Sequence, residues 1–395
     1  MKKILILGAG IYQVPLINKC KEMGHFVIVS SIPGNYPGFA CADKVYYENT
    51  VDKDAILKIA KDEEIDAILT TGTDVAVSTI GYVNDKLGLC GVTFESAEWV
   101  TNKLHMKEQL QNQGVRTAKF HKAYNVDDAL KACDDIGFPV VFKCVDMSGS
   151  RGIMRIDSPE EAEKAFQYSM SATRCDYILV EKFLEGHEIG VDGYIGENGS
   201  FIVPHDKLIC GNGATNVPVG HIFPYCGSDQ LTNDITEQIN SAAKALKLKK
   251  VFFNSDVMIC GNEAYIIEIS ARCGATCIPE LISIHYGVDY YGSMVSNALG
   301  ENVSFPDKPI CAAIGELLRS DKSGIITSIS YNEAIQYADQ ISFDYQIGDS
   351  VNAFRVGPDR IGQVIVHGDD LQKANMNLEN AKKHICVDIR SEQET

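Results

Sequence analysis

Residues 252–276 read FFNSDVMICGNEAYIIEISARCGAT, and the architecture of the chain follows from them. β-branched and aromatic residues lie on both sides of a Gly-Asn pair, a pattern typical of two strands joined by a tight turn. We therefore predict strands over residues 251–259 and 264–270, with the turn at residues 260–263. Such a hairpin would be a rigid support for the side chains that project from its paired strands.

Asp256 and Glu268 fall near one another on the two predicted strands. Carboxylates placed together on rigid strands repel each other and lose solvation, and a cation usually offsets that cost. Hard oxygen ligands with few histidines beside them suit Mg²⁺ that carries substrate phosphates. Ser270 and Arg272 follow Glu268 at alternate positions, so the three share one face of the strand. The pattern predicts a pocket under this face; a solvated hairpin with a chance ion pair is the alternative.

The composition sets the broad class of the protein. A chain of 395 residues is too long for one ordinary core and suggests two or three domains of ~100–200 residues each. Hydrophobic content of 45% and charged content of 23% are typical of a soluble globular protein. The formal net charge of −17 leaves no basic excess for a nucleic-acid backbone, although local basic residues could hold a small polyphosphate. We expect no nucleic-acid partner.

The cysteines and the N-terminal residues indicate the cellular compartment that we expect for the protein. Thirteen cysteines are scattered without a C-x-x-C pair, which favours reduced thiols over a disulfide framework or a zinc site. The apolar run after Lys3 ends at Gly8, which is too short for a signal segment or a membrane span, and no later segment supplies one. We therefore expect a cytoplasmic protein that has no membrane partner.

Strands and helices alternate over the first hundred residues, beginning with a strand at residues 3–7, a Gly8-Ala9-Gly10 turn and a helix. The turn reads G-x-G-x-x-Q, with Gln13 where a dinucleotide fingerprint has glycine. The second strand ends without an acid to hold a ribose. The alternation therefore favours a Rossmann-like scaffold that ends near residue 100 over a nicotinamide site.

A smaller α/β unit follows over residues 118–190. One of its strands ends in Lys143, and the loop at residues 147–152 combines small residues with one arginine, so backbone N–H groups and charge could meet a phosphate. A surface hairpin loop is the alternative for this loop taken alone. The next strand delivers Glu181 and then Glu188, a pattern that fits a purine slot.

A long polar segment, residues 205–224, is inserted between predicted strands. Long loops inside compact domains are commonly functional. We hypothesise that this segment shapes an acceptor pocket, with Lys207 contacting an anion and the loop at residues 273–276 opposite. For His205 and His221, surface positions in this loop are the alternative.

Three of these stretches together resemble motifs of the ATP-grasp superfamily. IGFPVVFKCVDMSGSRGI, residues 136–153, resembles its lysine-ended strand and glycine-rich flap. VEKFLEGHEIGVDG, residues 180–193, resembles its adenine hinge, and DVMICGNEAYIIEISAR, residues 256–272, resembles its metal hairpin. The likeness covers nearly the whole chain and is greatest to the biotin carboxylase, carbamoyl phosphate synthetase large chain, formate-dependent glycinamide ribonucleotide transformylase and L-amino acid ligase branches.

The resemblance implies an α/β fold that is α+β in its ATP-grasp part. A Rossmann-like N-terminal domain would span residues 1–100 and an ATP-grasp domain residues 101–305, with a flap subdomain at about 118–190. A small β-rich C-terminal domain would span residues 306–395.

The resemblance also implies the ATP contacts. Lys103 and Lys143 would touch the phosphates, and the flap would fold over them. Glu181 would take the adenine amino group, and Glu188 the ribose hydroxyls. The full implied set is Lys103, Lys143, Ser148, Gly149, Ser150, Gly152, Glu181, Lys182, Phe183, Leu184 and Glu188.

The metal and catalytic residues are implied in the same way. Asp256, Glu268 and Ser270 would ligate one or two Mg²⁺ ions, with Mn²⁺ as an alternative ion. Arg272, Lys143 and Arg151 would act on the transferred phosphoryl group. Ser270 departs from the family, which usually has asparagine at this position, and this departure puts occupancy by two metals in doubt.

The implied activity is ATP-dependent ligation of a small-molecule carboxylate to an amine through an acyl phosphate, releasing ADP and phosphate. One alternative is activation of formate or bicarbonate by the same ATP chemistry. Another is a nucleotide-binding module without turnover. A homodimer is left open.

Overall fold

The computed structural model of the chain describes residues 1–147, 152–209 and 217–391. Its first part contains four strands and five helices: β1 (Lys3–Leu7), α1 (Val14–Glu22), β2 (Phe26–Ser30), α2 (Gly38–Cys41), β3 (Lys44–Tyr46), α3 (Lys53–Glu63), β4 (Ala67–Leu69), α4 (Val77–Leu87) and α5 (Phe94–Thr101). The strands form a parallel sheet in the order β3-β2-β1-β4. Their near-continuous apolar sequences fit a sheet that is covered on both faces.

The second part is a small antiparallel unit. It contains α6 (Lys103–Asn112), β5 (Phe120–Ala123), α7 (Val126–Ile136), β6 (Val140–Lys143), β7 (Ile153–Ile156), α8 (Ala162–Ala172) and β8 (Ile178–Lys182). A 3₁₀ turn at Pro159–Glu161 precedes α8. The sheet order β5-β8-β6-β7 places the end of β6, with Lys143, beside β8.

The third part carries the hairpin. It contains β9 (His187–Ile195), β10 (Ser200–Ile209), β11 (Pro218–Phe223), α9 (Asp229–Ala245), β12 (Val251–Cys260), β13 (Glu263–Ser270), α10 (Ile278–Tyr286) and α11 (Tyr290–Ala298). The predicted hairpin is present, with each strand one residue longer towards a two-residue turn at Gly261 and Asn262. Gly261 has φ +63°, a backbone conformation that glycine adopts without strain.

The last part contains β14 (Ala312–Leu318), β15 (Gly324–Ser330), β16 (Gln340–Phe343), β17 (Ser350–Val351), β18 (Gly362–Gly368), α12 (Leu371–Lys383) and β19 (Cys386–Arg390), with 3₁₀ turns at Ile335–Tyr337 and Gly357–Asp359. Strand β14 pairs with β11, so one eight-stranded sheet runs from the hairpin into this part in the order β13-β12-β9-β10-β11-β14-β18-β16. The remaining strands form a three-stranded sheet, β17-β15-β19.

A shared hydrophobic core fixes the first sheet against the hairpin. One buried cluster contains Leu5 and Ile28 from the parallel sheet together with Val257 and Ile266 from the hairpin. Because burial of apolar side chains is the main favourable term in folding, this cluster holds the loops after β4 beside the hairpin face. Among the described residues, no helix combines the length and the apolar character that a membrane crossing requires.

The predicted loop over residues 205–224 is wrong at both ends. The ends of the segment belong to β10 and β11. Within this segment, residues 210–216 lie outside the described residues. His205 and His221 are buried in the sheet, so the surface alternative for them is also wrong. Their polarity suggested a loop, but buried polar groups are accommodated in a sheet when they hydrogen-bond one another.

Candidate active site

The register of the large sheet brings the two predicted acids together. Asp256 of β12 lies opposite Glu268 of β13, so both carboxylates project from the same face. On the other side of β12, Gly190 of β9 lies opposite Asp256. The His205 ring packs over Gly190 so closely that a Cβ there would come within 2.1 Å of the ring.

Asp256 and Glu188 share one lysine. Lys207 Nζ lies 2.5 Å from Asp256 Oδ1 and 2.6 Å from Glu188 Oε1, and its side chain is only 5% exposed. Burial by itself lowers the pKa of the Lys207 ammonium, but the two carboxylates outweigh burial and raise that pKa. The predicted anion contact of Lys207 is therefore made with two side chains of the protein in this structure.

The acid pair fits a metal ion that is shared with a ligand. The described residues contain no group of three or more histidine, cysteine, aspartate or glutamate side chains that could hold a metal ion. Mg²⁺ is commonly bound by one or two carboxylates and completes its coordination shell with water and substrate phosphates. Asp256 and Glu268 match that arrangement, whereas an ion held by protein side chains alone would lack ligands among the described residues.

Glu268 is paired with the first predicted phosphate-binding lysine. Lys103 Nζ lies 3.3 Å from Glu268 Oε2 and donates to the Met147 carbonyl at 2.7 Å. Burial lowers the pKa of Lys103, but Glu268 and Asp74 outweigh burial and raise that pKa. Lys103 begins α6, and the side chain of Asn102 caps this helix. The helix therefore positions the lysine beside Glu268 in the cleft lining.

Asp74 is a site residue that no motif in the sequence indicated. It follows β4 and accepts from Arg272 Nε and Nη2, both at 2.8 Å, and from the Ser270 hydroxyl at 2.5 Å. The third guanidinium nitrogen of Arg272 donates to Asn254 Oδ1 at 3.0 Å. The available signal was the position of an acid just after a parallel strand, where open α/β sheets bind ligands.

This cluster gives Ser270 and Arg272 partners within the protein. Burial raises the pKa of the Asp74 carboxyl, but Arg272 outweighs it and holds that pKa below its usual range. Ser270, predicted as a metal ligand, donates its hydroxyl to Asp74, and Arg272, predicted to face the phosphoryl group, has all three nitrogens engaged. Their predicted roles remain predictions; the contacts show that both side chains also connect the hairpin to the first sheet.

The second predicted phosphate-binding lysine, Lys143, lies in a buried three-residue cluster. Glu181 Oε2 lies 2.9 Å from Lys143 Nζ and 3.3 Å from Lys107 Nζ. Burial raises the pKa of Glu181, but the two lysines outweigh it and lower that pKa. The other carboxylate oxygen, Oε1, is buried and has no hydrogen-bond partner among the described residues. An unpartnered buried acceptor fits the predicted role of Glu181 as an acceptor for an amino group.

The predicted adenine hinge lies at the end of β8. Lys182 Nζ donates to the carbonyl of Gly137 at 2.9 Å, and the Arg155 guanidinium lies 4.2 Å from the centroid of the Phe183 ring. The N–H of Leu184 has no backbone acceptor among the described residues. That N–H is therefore available for a ring nitrogen of a ligand.

Much of the predicted flap lies outside the described residues. Those positions are Ser148, Gly149, Ser150 and Arg151. Gly152, which follows them, has φ +65°, and a Cβ there would come within 2.6 Å of Ala172. A larger residue would therefore be strained at this position, which is consistent with the small residues of the predicted loop.

A buried polar chain runs behind the acid pair. Asp192 Oδ2 accepts from Asn254 Nδ2 at 2.8 Å and lies 3.1 Å from His205 Nε2. His205 Nδ1 lies 3.2 Å from His221 Nδ1. Burial, followed by the His205 and Lys207 charges, holds the pKa of His221 well below its usual value. His221 is therefore uncharged at neutral pH and adds no positive charge beside Lys207.

Two cavities adjoin these residues. A cleft of about 420 Å³ lies between the first sheet and the hairpin, and its lining includes Lys53, Asp74, Lys103 and Glu268. A cavity of about 440 Å³ lies where the first glycine turn, the loop after the hairpin and the last part of the chain meet. Both volumes fall within the ~300–1,000 Å³ range of small-molecule sites.

Arg360 lines the second cavity and is paired with an acid there. Its Nε lies 2.6 Å from Asp344 Oδ2, and its guanidinium lies 5.0 Å from the centroid of the Tyr12 ring. Burial lowers the pKa of Arg360, but Asp344 outweighs burial and raises that pKa. Glu280, which also lines the cavity, has a pKa that burial raises. These side chains offer a cation and acids to a polar ligand.

Family models match two parts of the chain. Residues 101–276 match the ATP-grasp (A) domain of phosphoribosylglycinamide synthetase. Residues 316–390 match the C-terminal domain 2 of L-amino acid ligase. A crystal structure of phosphoribosylglycinamide synthetase from Anaerococcus prevotii superposes with a TM-score of 0.85 and 30% identity, over 98% of this chain and 100% of that one. The chain belongs to the ATP-grasp family of ligases.

Other ATP-grasp proteins are similar over differing lengths. Phosphoribosylamine–glycine ligase of Fusobacterium nucleatum is 23% identical over 97% of this chain and 94% of its own. The carbamoyl phosphate synthase large chain of Thermotoga neapolitana is 24% identical over 78% of this chain, which spans only 30% of that larger protein. L-amino acid ligase from Bacillus licheniformis shares the fold, with a TM-score of 0.80, 17% identity and 99% coverage of both chains.

The family assignment confirms the sequence prediction of an ATP-grasp enzyme that forms ADP. Four buried or half-buried groups of this site were absent from the predicted set: Asp74, Lys107, Asp192 and Asn254. Asn254 sits next to Ser270 on the paired strand, so an amide does lie near the position where the family usually has asparagine. In this structure that amide binds Asp192 and Arg272.

Proposed function

We propose that the chain is an ATP-dependent carboxylate–amine ligase that forms an amide bond through an acyl phosphate and releases ADP and phosphate. The observation that carries this proposal is the Asp256–Glu268 pair on one face of the hairpin, with Lys103 3.3 Å from Glu268. An acid pair beside a lysine can neutralise a polyphosphate through a shared cation, and phosphoryl transfer depends chiefly on such positioning and charge.

The nucleotide would lie between the small antiparallel unit and the large sheet. The unpartnered Glu181 Oε1 and the Leu184 N–H suit the donor and acceptor edge of adenine. Lys143 and Lys103 would hold the phosphates, and Asp256 and Glu268 would hold Mg²⁺, or Mn²⁺ in its place. When bound, the ion would draw electron density from the phosphate oxygens and neutralise charge on them. Ser148 to Gly152 would exclude water from the acyl phosphate, which hydrolyses readily.

The carboxylate would bind in the 420 Å³ cleft beside Asp74 and Glu268. Two matches support an amino acid as the carboxylate substrate. Residues 316–390 match a domain of L-amino acid ligase. The relative from Fusobacterium nucleatum is named a phosphoribosylamine–glycine ligase, a name that pairs an amine with an amino acid. The amine would approach from the cavity lined by Arg360 and Glu280.

We further propose three units, residues 1–100 with a Rossmann-like fold, 101–305 with a flap at about 118–190, and 306–395. The separate parallel sheet supports the first boundary. Cytoplasmic residence is proposed from the unpatterned cysteines, and a homodimer from the biotin carboxylase domain dimer among the similar structures.

ADP release tests the proposal. The full chain would be incubated with ATP, Mg²⁺ and pooled amino acids, with and without added amines, and the products identified by mass spectrometry. We expect ADP formation that requires both an amino acid and an amine, with an amide product. Turnover with formate or bicarbonate alone would contradict the proposed substrate class, and nucleotide binding without ADP release under any condition would contradict the ligase activity.

A further inference from the structure

The cluster of Lys107, Lys143 and Glu181 holds more positive than negative charge in the protein interior. Lys107 is fully buried, and Glu181 and Lys143 are nearly so. Two ammonium groups within 3.3 Å of one carboxylate oxygen leave an excess of one positive charge when all three are ionised. An uncompensated charge in a low-dielectric interior is costly, so this cluster is stabilised either by losing a proton or by gaining an anion.

Lys107 plays no part in the nucleotide contacts assigned above. Its Nζ donates to the Thr117 hydroxyl at 2.6 Å, and that hydroxyl donates in turn to the Ile266 carbonyl at 2.8 Å. The Phe120 ring lies 5.9 Å away on β5. The ammonium is thus buried and held in place beneath Glu181 by α6 and by the chain that leads into β5.

Lys143 differs from Lys107 in its placement. It ends β6, directly before the predicted phosphate flap, yet its Nζ donates to Glu181 Oε2 at 2.9 Å in this structure. A turn of Lys143 towards a phosphate would weaken or break its contact with that oxygen. Glu181 would then be a buried carboxylate with no counter-charge unless a second cation stayed beside it, and Lys107 is that cation.

We infer that Lys107 stays beside Glu181 as its counter-charge, and that the neutral fraction of Lys107 takes up a proton when Lys143 moves from Glu181 to a nucleotide phosphate. The inference rests on the proposed nucleotide site and adds a positioning residue to it. The proton comes from solvent and ends on Lys107 Nζ, so charge balances: the bound phosphate supplies the negative charge that the second ammonium requires.

The charged groups around Lys107 give the direction of the effect. Burial lowers the pKa of Lys107 to about 8, Glu181 opposes that shift, Lys143 adds to it, and Glu268 on β13 opposes it. The charge of Lys143 lowers the pKa of Lys107, so its departure raises that pKa. The negative charge of a bound phosphate raises it further, so the pKa of Lys107 is higher in the complex. Affinity for nucleotide is therefore constant below about pH 8 and decreases as pH rises above it.

Calorimetry of ADP binding tests this coupling in the full chain. ADP would be titrated at pH 8 in two buffers of different ionisation enthalpy, since the difference in heat counts the protons exchanged. Because about half of the Lys107 side chains are uncharged at that pH, we expect uptake of up to about half a proton per ADP bound. Binding without proton uptake by the wild type would overturn the inference.

Two variants assign the proton to Lys107. Lys107→Met has a similar length and no charge, and Lys107→Arg stays charged at every pH used, so neither takes up the proton. Lys107→Arg should keep its affinity from pH 7 to pH 9, whereas the wild type loses it above pH 8. If Lys107→Met does not fold, as judged by circular dichroism, the arginine variant alone decides.

Lys119→Met is the matched control, because Lys119 is half-exposed in the same unit and pairs with Asp135. It should take up protons as the wild type does. Uptake that persists in Lys107→Arg would overturn the inference while leaving the nucleotide site intact. Absence of ADP binding by the wild type would instead overturn the proposed function, so the two failures are distinguishable.

Discussion

Glu268 is the residue at which the predicted metal site is most directly tested. Its carboxylate lies beside Lys103 and opposite Asp256, and one carboxylate can supply a Mg²⁺ ligand that an amide replaces poorly. We expect Glu268→Gln to lower Mg²⁺-dependent ADP formation at least about a hundredfold, a change of about 3 kcal/mol. The fold should be unchanged, since the side chain is partly exposed.

Glu263→Gln is the control for this prediction, because Glu263 is an exposed acid in the same hairpin, beside its turn. It should keep the wild-type rate in the coupled assay that follows ADP. Retention of the wild-type rate by Glu268→Gln would show that the metal assignment is wrong.

Lys207 poses a separate question at the scale of one residue. Its ammonium occupies the space beside Asp256 that a metal ion would share, so it competes with Mg²⁺ for that carboxylate. Lys207→Met removes the competitor, and we expect the Mg²⁺ concentration for half-maximal activity to fall about fivefold, equivalent to about 1 kcal/mol. The measurement is the rate of ADP formation over a Mg²⁺ titration. An unchanged midpoint would mean that Asp256 does not bind the ion.

At the scale of the element, helix α6 carries both Lys103 and Lys107, and its start is fixed by Asn102. The Asn102 side chain accepts from the N–H groups of Leu104 and His105 at 3.0 and 3.2 Å. Loss of such a cap costs about 1 kcal/mol. We expect Asn102→Ala to lower the free energy of unfolding by that amount and to weaken ATP binding, because the first turn then positions Lys103 less well.

Asn125→Ala is the matched control, since the side chain of Asn125 caps α7 by accepting from the N–H of Asp128. Chemical denaturation should show a similar loss of stability for both variants, whereas calorimetry should show weaker ATP binding for Asn102→Ala only. Equal ATP affinities in the two variants would contradict a positioning role of the α6 start.

At the scale of the whole molecule, the Asp74–Arg272 pair joins the first sheet to the hairpin. The two side chains are mostly buried and are joined by two hydrogen bonds of 2.8 Å. Removing one partner of such a pair leaves an uncompensated charge and typically costs ~3–5 kcal/mol. We expect Asp74→Asn to lower the free energy of unfolding by about 3 kcal/mol at pH 7 and to abolish turnover.

The same pair predicts a pH dependence. Because the folded-state pKa of Asp74 is lowered, its contribution to stability is present above the unfolded pKa of about 4 and is lost as pH falls below it. The difference in unfolding free energy between the wild type and Asp74→Asn should therefore decrease as the pH is lowered below about 4. Asp62→Asn, in an exposed pair with Lys58, should change stability little at either pH. A difference that stays constant on acidification would contradict this account.

Local patterns in the sequence determine much of the fold. The hairpin, β1 and the end of β6 lie where the sequence pattern predicts them. The acid pair follows as well, because side chains alternate along a strand and a tight turn sets the register of its two partners. These are short-range consequences of backbone geometry, so residue order alone specifies them.

Only the tertiary structure decided which distant side chains share a site. Asp74 and Arg272 are 198 positions apart, and Lys143 and Glu181 are 38 apart. His205 and His221 were predicted with a loop, yet the large sheet buries them because Asp192 and their own pairing satisfy their hydrogen bonds. Such contacts depend on how the shared core docks the first sheet onto the hairpin, and no local periodicity encodes that docking.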